Sequence, residues 1–207
     1  MLKREKLRSI LSIYIELPGA RFLRRIGLSP NAITFIGFGI CVIAAVLVGY
    51  GQFLSGGIIF LIGAGLDLFD GALARLAKSE SSFGALLDSV FDRLGEASLF
   101  LGIAAYILLQ DFSKDKTFIF TMILIIALIF SQTVSYLRAR GEGLNAFTRS
   151  GIMTRTERVI VLGAGLIIDH FVILDLMLWI LLGIAIVSSL TLLQRLLTIR
   201  SILRTDD

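Results

Sequence analysis

Apolar residues dominate this chain in long runs, which short polar segments separate. Six of the runs reach or approach the about 20 residues that a helix needs to cross a bilayer. Short connectors make successive helices antiparallel neighbours, so the pattern predicts an all-α integral membrane protein with six transmembrane helices. The predicted spans are 31–50, 56–77, 84–109, 117–139, 155–174 and 175–198.

The first 27 residues follow a different pattern. Apolar side chains from Leu7 to Tyr14 recur at helical spacing, with lysines and arginines between them. This pattern predicts a short amphipathic helix that lies on anionic lipid at the membrane interface. Pro18 and the glycine after it are expected to end that helix. The chain therefore divides into a juxtamembrane segment, 1–27, and a six-helix transmembrane domain, 28–207.

Composition and charge extend this prediction to the orientation of the chain. Of the 207 residues, 56% are hydrophobic and 17% are charged, and the mean hydropathy is +0.88. A soluble domain could not bury this much apolar surface in one core, so lipid must cover part of it. Of the 20 lysines and arginines, 18 fall on the predicted side of both termini or at its helix ends, leaving Lys114 and Lys116 opposite. The positive-inside rule then predicts a multi-pass plasma-membrane protein with cytoplasmic termini, and we expect no nucleic-acid partner.

The second predicted span ends in an acidic motif. Asp67 and Asp70 share one helical face with Gly71, Ala74 and Arg75, because these positions follow the i, i+3, i+4, i+7, i+8 rule. Such a face combines carboxylates with small residues. We expect the small residues to leave room for a ligand, although close helix packing would use them too.

The third span opens with a matching stripe. Gly84, Asp88 and Asp92 lie four residues apart and stack along one helical face. The short loop 78–83 makes the two spans antiparallel, which brings the aspartates of both to the same depth. The sequence therefore predicts four carboxylates that face one another at one membrane surface.

Carboxylates in this setting need a counter-charge. One aspartate costs about 2.5 to 3.5 kcal/mol at the bilayer centre and less near a helix end. Four together repel one another unless a cation neutralises them, and without a nearby histidine or cysteine the oxygen ligands favour Mg²⁺ or Mn²⁺, with Ca²⁺ also open. Two such ions about 4 Å apart can clamp a displacement at phosphorus. Structural ion pairs with Arg75 and Arg93 are the alternative, but two arginines do not offset four carboxylates.

The full motif resembles the signature of the CDP-alcohol phosphotransferase family without a departure. Members of this family transfer the phosphatidyl group of a CDP-linked lipid, usually CDP-diacylglycerol, to an alcohol and release CMP. The resemblance implies two divalent ions, Mg²⁺ or Mn²⁺, and a homodimer. The motif reads Asp67-x-x-Asp70-Gly71-x-x-Ala74-Arg75, then eight residues, then Gly84-x-x-x-Asp88-x-x-x-Asp92.

The resemblance also implies roles for individual residues. Asp67, Asp70 and Asp88 would bind the metals, while Asp92 would lie near a metal and act as the catalytic base. The CDP-lipid would contact residues of the motif and of the start of the first span. The implied CDP-lipid-binding residues are Pro30, Asn31, Thr34, Asp67, Gly71, Ala74, Arg75 and Gly84.

Arginines on the same membrane side are candidates for binding the acceptor alcohol. Thr154 to Glu157 predicts a capping box that opens the fifth span. Cations in that first turn oppose the helix dipole, and a bound anion would resolve the conflict. Contact with lipid headgroups is the alternative. The predicted acceptor-phosphate ligands are Arg138, Arg155, Arg158 and Arg195.

The segments 136–142 and 155–159 resemble the branch of the family that uses inositol phosphate. The leading hypothesis for the acceptor is therefore myo-inositol 1-phosphate, and glycerol 3-phosphate is the rival. The donor lipid could be ester-linked or ether-linked. A non-catalytic cation transporter is an alternative from another class, but it would need charges along its whole path. Glu96, one turn beyond Asp92, could orient a metal ligand or pair with a polar group of another helix.

Overall fold

The structure, a computed structural model, describes residues 16–77, 79, 81–148, 151–172 and 176–206. Within these ranges the fold is all-helical and contains no strand. The eight helices are α1 (Leu17–Arg25), α2 (Pro30–Gly49), α3 (Phe53–Gly65), α4 (Asp67–Ala77), α5 (Ser82–Leu109), α6 (Lys114–Glu142), α7 (Arg155–Asp169) and α8 (Leu176–Asp206).

Side-chain caps start the helices that carry the polar motifs. Ser29 caps α2, and Ser81 caps α5 by accepting a hydrogen bond from a backbone amide at 3.0 Å. At the start of α7 the Glu157 carboxylate accepts a hydrogen bond from the Thr154 backbone amide at 2.6 Å. The capping box predicted from the sequence is therefore confirmed, and it fixes where α7 begins.

Among the described residues, four helical stretches are long and apolar enough to cross a membrane. They are Pro30–Gly49, Phe53–Ala77, Lys114–Glu142 and Leu176–Arg204. The spans predicted at 84–109 and 155–174 form helices, α5 and α7, but neither is among these four. Helix α7 has 15 residues, about 22 Å at the helical rise, and the first half of α5 carries several charged side chains.

The exterior of the bundle is apolar. Phe118 and Trp179 are each 64% exposed, and large aliphatic side chains surround them on the outer helix faces. An apolar exterior on this scale requires a lipid environment. The chain is therefore a membrane protein.

One local expectation differs from the structure. The stretch expected as one helix over 56–77 is interrupted at Leu66, so Asp67 begins a new helix. Pro18 lies in the first turn of α1, where its missing amide costs no hydrogen bond. Residues 1–15, which hold most of the interfacial helix that Pro18 is expected to end, lie outside the described residues, so that expectation stays a prediction.

Helix α1 docks on α4. Ala20 is fully buried in this contact, and a Cβ on Gly19 would lie 2.2 Å from the Phe69 ring. Arg24 Nη1 donates to the Leu76 carbonyl at 3.0 Å, an acceptor in the last turn of α4. Helix α1 therefore supports the helix that carries the first two aspartates.

Small residues bring the central helices close together. A Cβ on Gly102 of α5 would lie 2.3 Å from the Ala45 carbonyl oxygen of α2, and Gly37 and Gly63 meet in the same way between α2 and α3. Helix α3 also packs on α7, and α6 packs on α8. Among the described helices, α5 and α7 are not a closely packed pair. The gap between them matters for the site.

Candidate active site

Three of the four predicted metal ligands lie together. One carboxylate oxygen from each of Asp67, Asp70 and Asp88 lies within 4.8 Å of the others. Asp70 is buried, and the other two are partly buried. The ends of α4 and α5 thus bring their acidic faces to one level, as the spacing along the chain predicts.

Asp92 joins this group through an arginine of α7. Arg155 Nη1 donates to Asp67 Oδ2 at 3.1 Å and also forms an ion pair with Asp92 Oδ2. All three side chains are partly buried. The positive charge beside the carboxylates is therefore that of Arg155, which the sequence predicts to bind the acceptor phosphate.

The two arginines proposed as structural partners of the aspartates make other contacts. Arg75 Nη2 lies 3.5 Å from Glu16 Oε2 of α1. Arg93 donates to the backbone carbonyls of Ser89 at 2.7 Å and Ser135 at 3.2 Å. The described contacts of Arg75 and Arg93 therefore give no support to the ion-pair alternative.

The carboxylate group suits a hard divalent cation. Asp88 Oδ1 is buried and has no hydrogen-bond partner in the described structure, so it is an orphaned anionic ligand atom. Thr34 Oγ1 donates to Asp70 Oδ2 at 2.7 Å and orients that carboxylate. Carboxylate oxygens of this kind fit Mg²⁺ or Mn²⁺.

A cavity of about 210 Å³ opens beside the aspartates, between α2, α4 and the start of α5. We call it the small-residue cavity. Asp67, the eighth residue predicted to bind CDP-lipid, instead lines a narrower neighbouring cavity of about 20 Å³. The other seven line the small-residue cavity: Pro30, Asn31, Thr34, Gly71, Ala74, Arg75 and Gly84.

Gly71 keeps space open in this cavity. A Cβ at Gly71 would meet just one neighbour, Arg75 Nη1, at an ordinary contact distance of 3.5 Å. The protein's own packing therefore does not require glycine here. Ser79, Ser81 and Ala85 also line the cavity, and sequence reasoning missed them because no charge or periodicity marks these positions.

A second cavity, of about 420 Å³, lies on the other side of the aspartates. We call it the arginine cavity, because Arg93, Arg138, Arg155 and Arg195 line it from α5, α6, α7 and α8. Asp88 lines both cavities, and Asp92 lines this one. The two cavities therefore meet at the carboxylate group.

Arg158 does not line the arginine cavity, although the sequence predicts that it binds the acceptor. Its side chain is fully buried: Nε lies 2.6 Å from Glu96 Oε1 and Nη2 lies 2.9 Å from Glu96 Oε2. Of the two roles left open for Glu96, the structure shows pairing with a polar group of another helix. Arg93, which the sequence analysis considered only as an ion-pair partner of the aspartates, also lines the cavity. Ser135, for which no role was predicted, does so as well.

Comparison with known proteins agrees with this geometry. The chain is 34% identical over 197 residues to the phosphatidylinositol phosphate synthase of Mycolicibacterium smegmatis, covering 91% of this chain and 86% of that protein. It is 40% identical over 141 residues to the archaetidylinositol phosphate synthase of Pyrococcus horikoshii, covering 68% of this chain and 70% of that one.

Solved structures share the fold. The crystal structure of Mycobacterium tuberculosis phosphatidylinositol phosphate synthase with CDP-DAG bound matches with a TM-score of 0.80 and 29% identity, over 89% of this chain and 93% of that chain. The same enzyme in complex with manganese and citrate matches with a TM-score of 0.80 and 30% identity, over 89% and 88% of the two chains. The profile of the CDP-alcohol phosphatidyltransferase family matches residues 28–193. This chain belongs to that family, whose members are divalent-metal-dependent enzymes that transfer the phosphatidyl group of CDP-diacylglycerol to an alcohol.

Proposed function

We propose that this chain transfers the phosphatidyl group of CDP-diacylglycerol, or of its ether-lipid equivalent, to myo-inositol 1-phosphate and releases CMP. The observation that carries this proposal is the pair of cavities that share Asp88. One is lined by small residues and the other by arginines, so a donor and a phosphorylated acceptor can approach the same carboxylates from opposite sides.

On the donor side, the diphosphate of the CDP-lipid occupies the small-residue cavity. Asp67, Asp70, Asp88 and Asp92 would hold two divalent cations, which would offset the diphosphate charge and stabilise CMP as the leaving group. Glycines at 71 and 84 leave the space that the nucleotide fills. Arg75, which is largely exposed at the cavity edge, is free to turn from Glu16 toward a phosphate.

On the acceptor side, the phosphate of the alcohol binds to Arg138, Arg155 and Arg195. We leave Arg158 out of this set because it is paired in the interior. Asp92 takes the proton of the acceptor hydroxyl. The hydroxyl oxygen bonds to the phosphorus that carries the diacylglycerol, and the bond from that phosphorus to the CMP oxygen breaks.

Glycerol 3-phosphate is the second candidate acceptor, because it offers the same phosphate to the arginines. The two relatives compared above are named for inositol phosphate products, which favours inositol. Because the chain belongs to a family of enzymes, the non-catalytic transporter is no longer a candidate.

The acceptor test uses purified protein in detergent with CDP-diacylglycerol and Mn²⁺ or Mg²⁺. CMP release is measured with each acceptor in turn and again after chelation of the metal. We expect release with myo-inositol 1-phosphate and none after chelation. Release with glycerol 3-phosphate alone would overturn the proposed acceptor.

For the membrane arrangement, we propose six spans that include α5 and α7, with the termini and the active site in the cytoplasm of a plasma-membrane homodimer. Residues 1–27 form the interfacial segment, and 28–207 form the catalytic domain. In a Cys41→Ser background, an impermeant maleimide should label Lys114→Cys from outside the cell and Arg140→Cys only after lysis. The reverse pattern would contradict the orientation.

A further inference from the structure

A fully buried ion pair joins α5 to α7 below the arginine cavity. Glu96 and Arg158 are each about 0% exposed at the side chain and form two hydrogen bonds, at 2.6 and 2.9 Å. Arg158 Nη2 also donates to Ser135 Oγ of α6 at 3.1 Å. The Arg158 guanidinium thus links α5, α6 and α7. About one turn away, residues of the same three helices line the arginine cavity.

Stability alone does not account for such a pair. Removing two charges from water costs several kcal/mol per ion, and apolar residues of similar volume at both positions are often as stabilising or more so. The best-attested use of a buried polar pair is to specify how helices align. Glu96 and Arg158 are therefore candidates for an alignment role rather than for a contribution to folding.

The helices that this ion pair would align, α5 and α7, both line the arginine cavity. Among the described helices, α5 and α7 do not pack closely, because part of the arginine cavity lies between them. Glu96 lies four residues after Asp92 on α5, and Arg158 lies three residues after Arg155 on α7. The ion pair therefore spans the gap one turn from the point where Asp92 meets Arg155.

We propose that Glu96 and Arg158 are positioning residues that fix the separation and the register of α5 and α7, and so hold the acceptor-binding arginines at a working distance from the aspartates. This inference rests on the proposed function. Neither residue lines the small-residue cavity or the arginine cavity, so neither needs to touch a substrate.

The principal test replaces both residues with apolar ones, as Glu96→Met with Arg158→Met. We expect a melting temperature in detergent no lower than that of the wild type and unchanged Mn²⁺ affinity. We also expect kcat/KM for the acceptor to fall roughly 100-fold, the effect of misplacing a reacting group by about 1 Å, with the KM for CDP-diacylglycerol unchanged. Ser131→Ala, a buried polar position of α6 outside both cavities, is the control and should retain full activity.

A distance measurement separates this inference from the proposed function. Mn²⁺ bound to the aspartates speeds the ³¹P relaxation of nearby inorganic phosphate, and the effect falls steeply with the manganese–phosphorus distance. We expect strong enhancement in the wild type and weaker enhancement in the double variant. A wild-type protein without enhancement overturns the phosphate site and this inference together. Equal enhancement and equal turnover in a stable double variant overturn this inference alone.

Single conservative variants keep the test decisive if the double variant does not fold. Glu96→Asp retracts the carboxylate by one methylene, and Arg158→Lys removes the planar fork while keeping the charge. Each should lower kcat/KM for the acceptor about 10-fold, on the order of one lost charge-assisted hydrogen bond, and leave Mn²⁺ affinity intact. Wild-type acceptor kinetics in both single variants would contradict the positioning role.

Discussion

The two cavities that meet at Asp88 are built in opposite ways. Motif residues clustered along the chain, with the start of α2, form the small-residue cavity, and its volume is about half that of the other, 210 against 420 Å³. The arginine cavity draws cationic side chains from four helices between Arg93 and Arg195. The carboxylate of Asp88 lies between them. The difference suggests a division of labour, in which metal ions neutralise the donor diphosphate and arginines neutralise the acceptor phosphate.

Asp92→Asn should have the largest effect, because Asp92 lines the arginine cavity together with Asp88 and serves as the proposed base. We expect turnover to fall on the order of 10³-fold, within the range for loss of a positioned general base. CDP-diacylglycerol binding should persist, since Asp92 does not line the small-residue cavity. Kinetics of CMP release and an equilibrium binding assay measure the two quantities. Turnover like that of the wild type would contradict the assigned role.

Arg195→Gln should affect the acceptor side alone. Arg195 is 3% exposed, lines the arginine cavity and donates to the Val134 carbonyl at 2.9 Å. Loss of a charge-assisted contact to phosphate should raise the acceptor KM about 10- to 100-fold. The KM for CDP-diacylglycerol should stay constant. Arg200→Gln, which changes an exposed charge later on the same helix, is the control. An equal rise of the acceptor KM in that variant would contradict the assignment of Arg195 to the acceptor phosphate.

Gly71→Ala should weaken donor binding while it stabilises the protein, and it should leave acceptor binding unchanged. The added methyl group meets only Arg75 within the protein, and alanine stabilises a helix interior by about 0.5 to 1 kcal/mol relative to glycine. We therefore expect a higher melting temperature together with a CDP-diacylglycerol KM raised several-fold. Gly39→Ala, in open space on α2, should raise stability without changing the KM. A donor KM unchanged in Gly71→Ala would show that the cavity is not the nucleotide site.

Arg24→Ala should have the smallest effect. It tests whether α1 stabilises the helix that lines the small-residue cavity. Its loss leaves the Leu76 carbonyl without the Arg24 donor, which should cost about 1 kcal/mol and lower the melting temperature by about 3 °C. Arg21→Ala, an exposed residue of the same helix, is the control. Equal melting temperatures for the two variants would argue against this support.

The sequence was most informative where local rules apply. Helical spacing and the short loop 78–83 predicted that Asp67, Asp70 and Asp88 meet, and the capping box at Thr154 followed from residue type. These features depend on neighbours within one or two helical turns. Of the seven small-residue-cavity positions, Gly71, Ala74, Arg75 and Gly84 came from the family signature. Pro30, Asn31 and Thr34 came from the wider family resemblance.

Features that depend on distant partners were not predictable in the same way. Arg155 and Arg158 occupy the same turn of α7, yet one reaches the aspartates and the other pairs with Glu96 in the interior. A sequence shows the charge but not the partner that a side chain finds across a gap between helices. The interruption at Leu66 follows Gly65, but glycines also lie inside unbroken helices of this chain, so glycine alone did not predict it, and no proline marks the end of the short α7.

Anomalous diffraction from crystals grown with Mn²⁺ and CDP-diacylglycerol tests the central claim most directly. The account predicts manganese peaks in contact with Asp67, Asp70 and Asp88, and a diphosphate in the cavity lined by Gly71 and Gly84. Manganese bound away from these carboxylates, or a diphosphate seated among the arginines at 138 and 195, would contradict it.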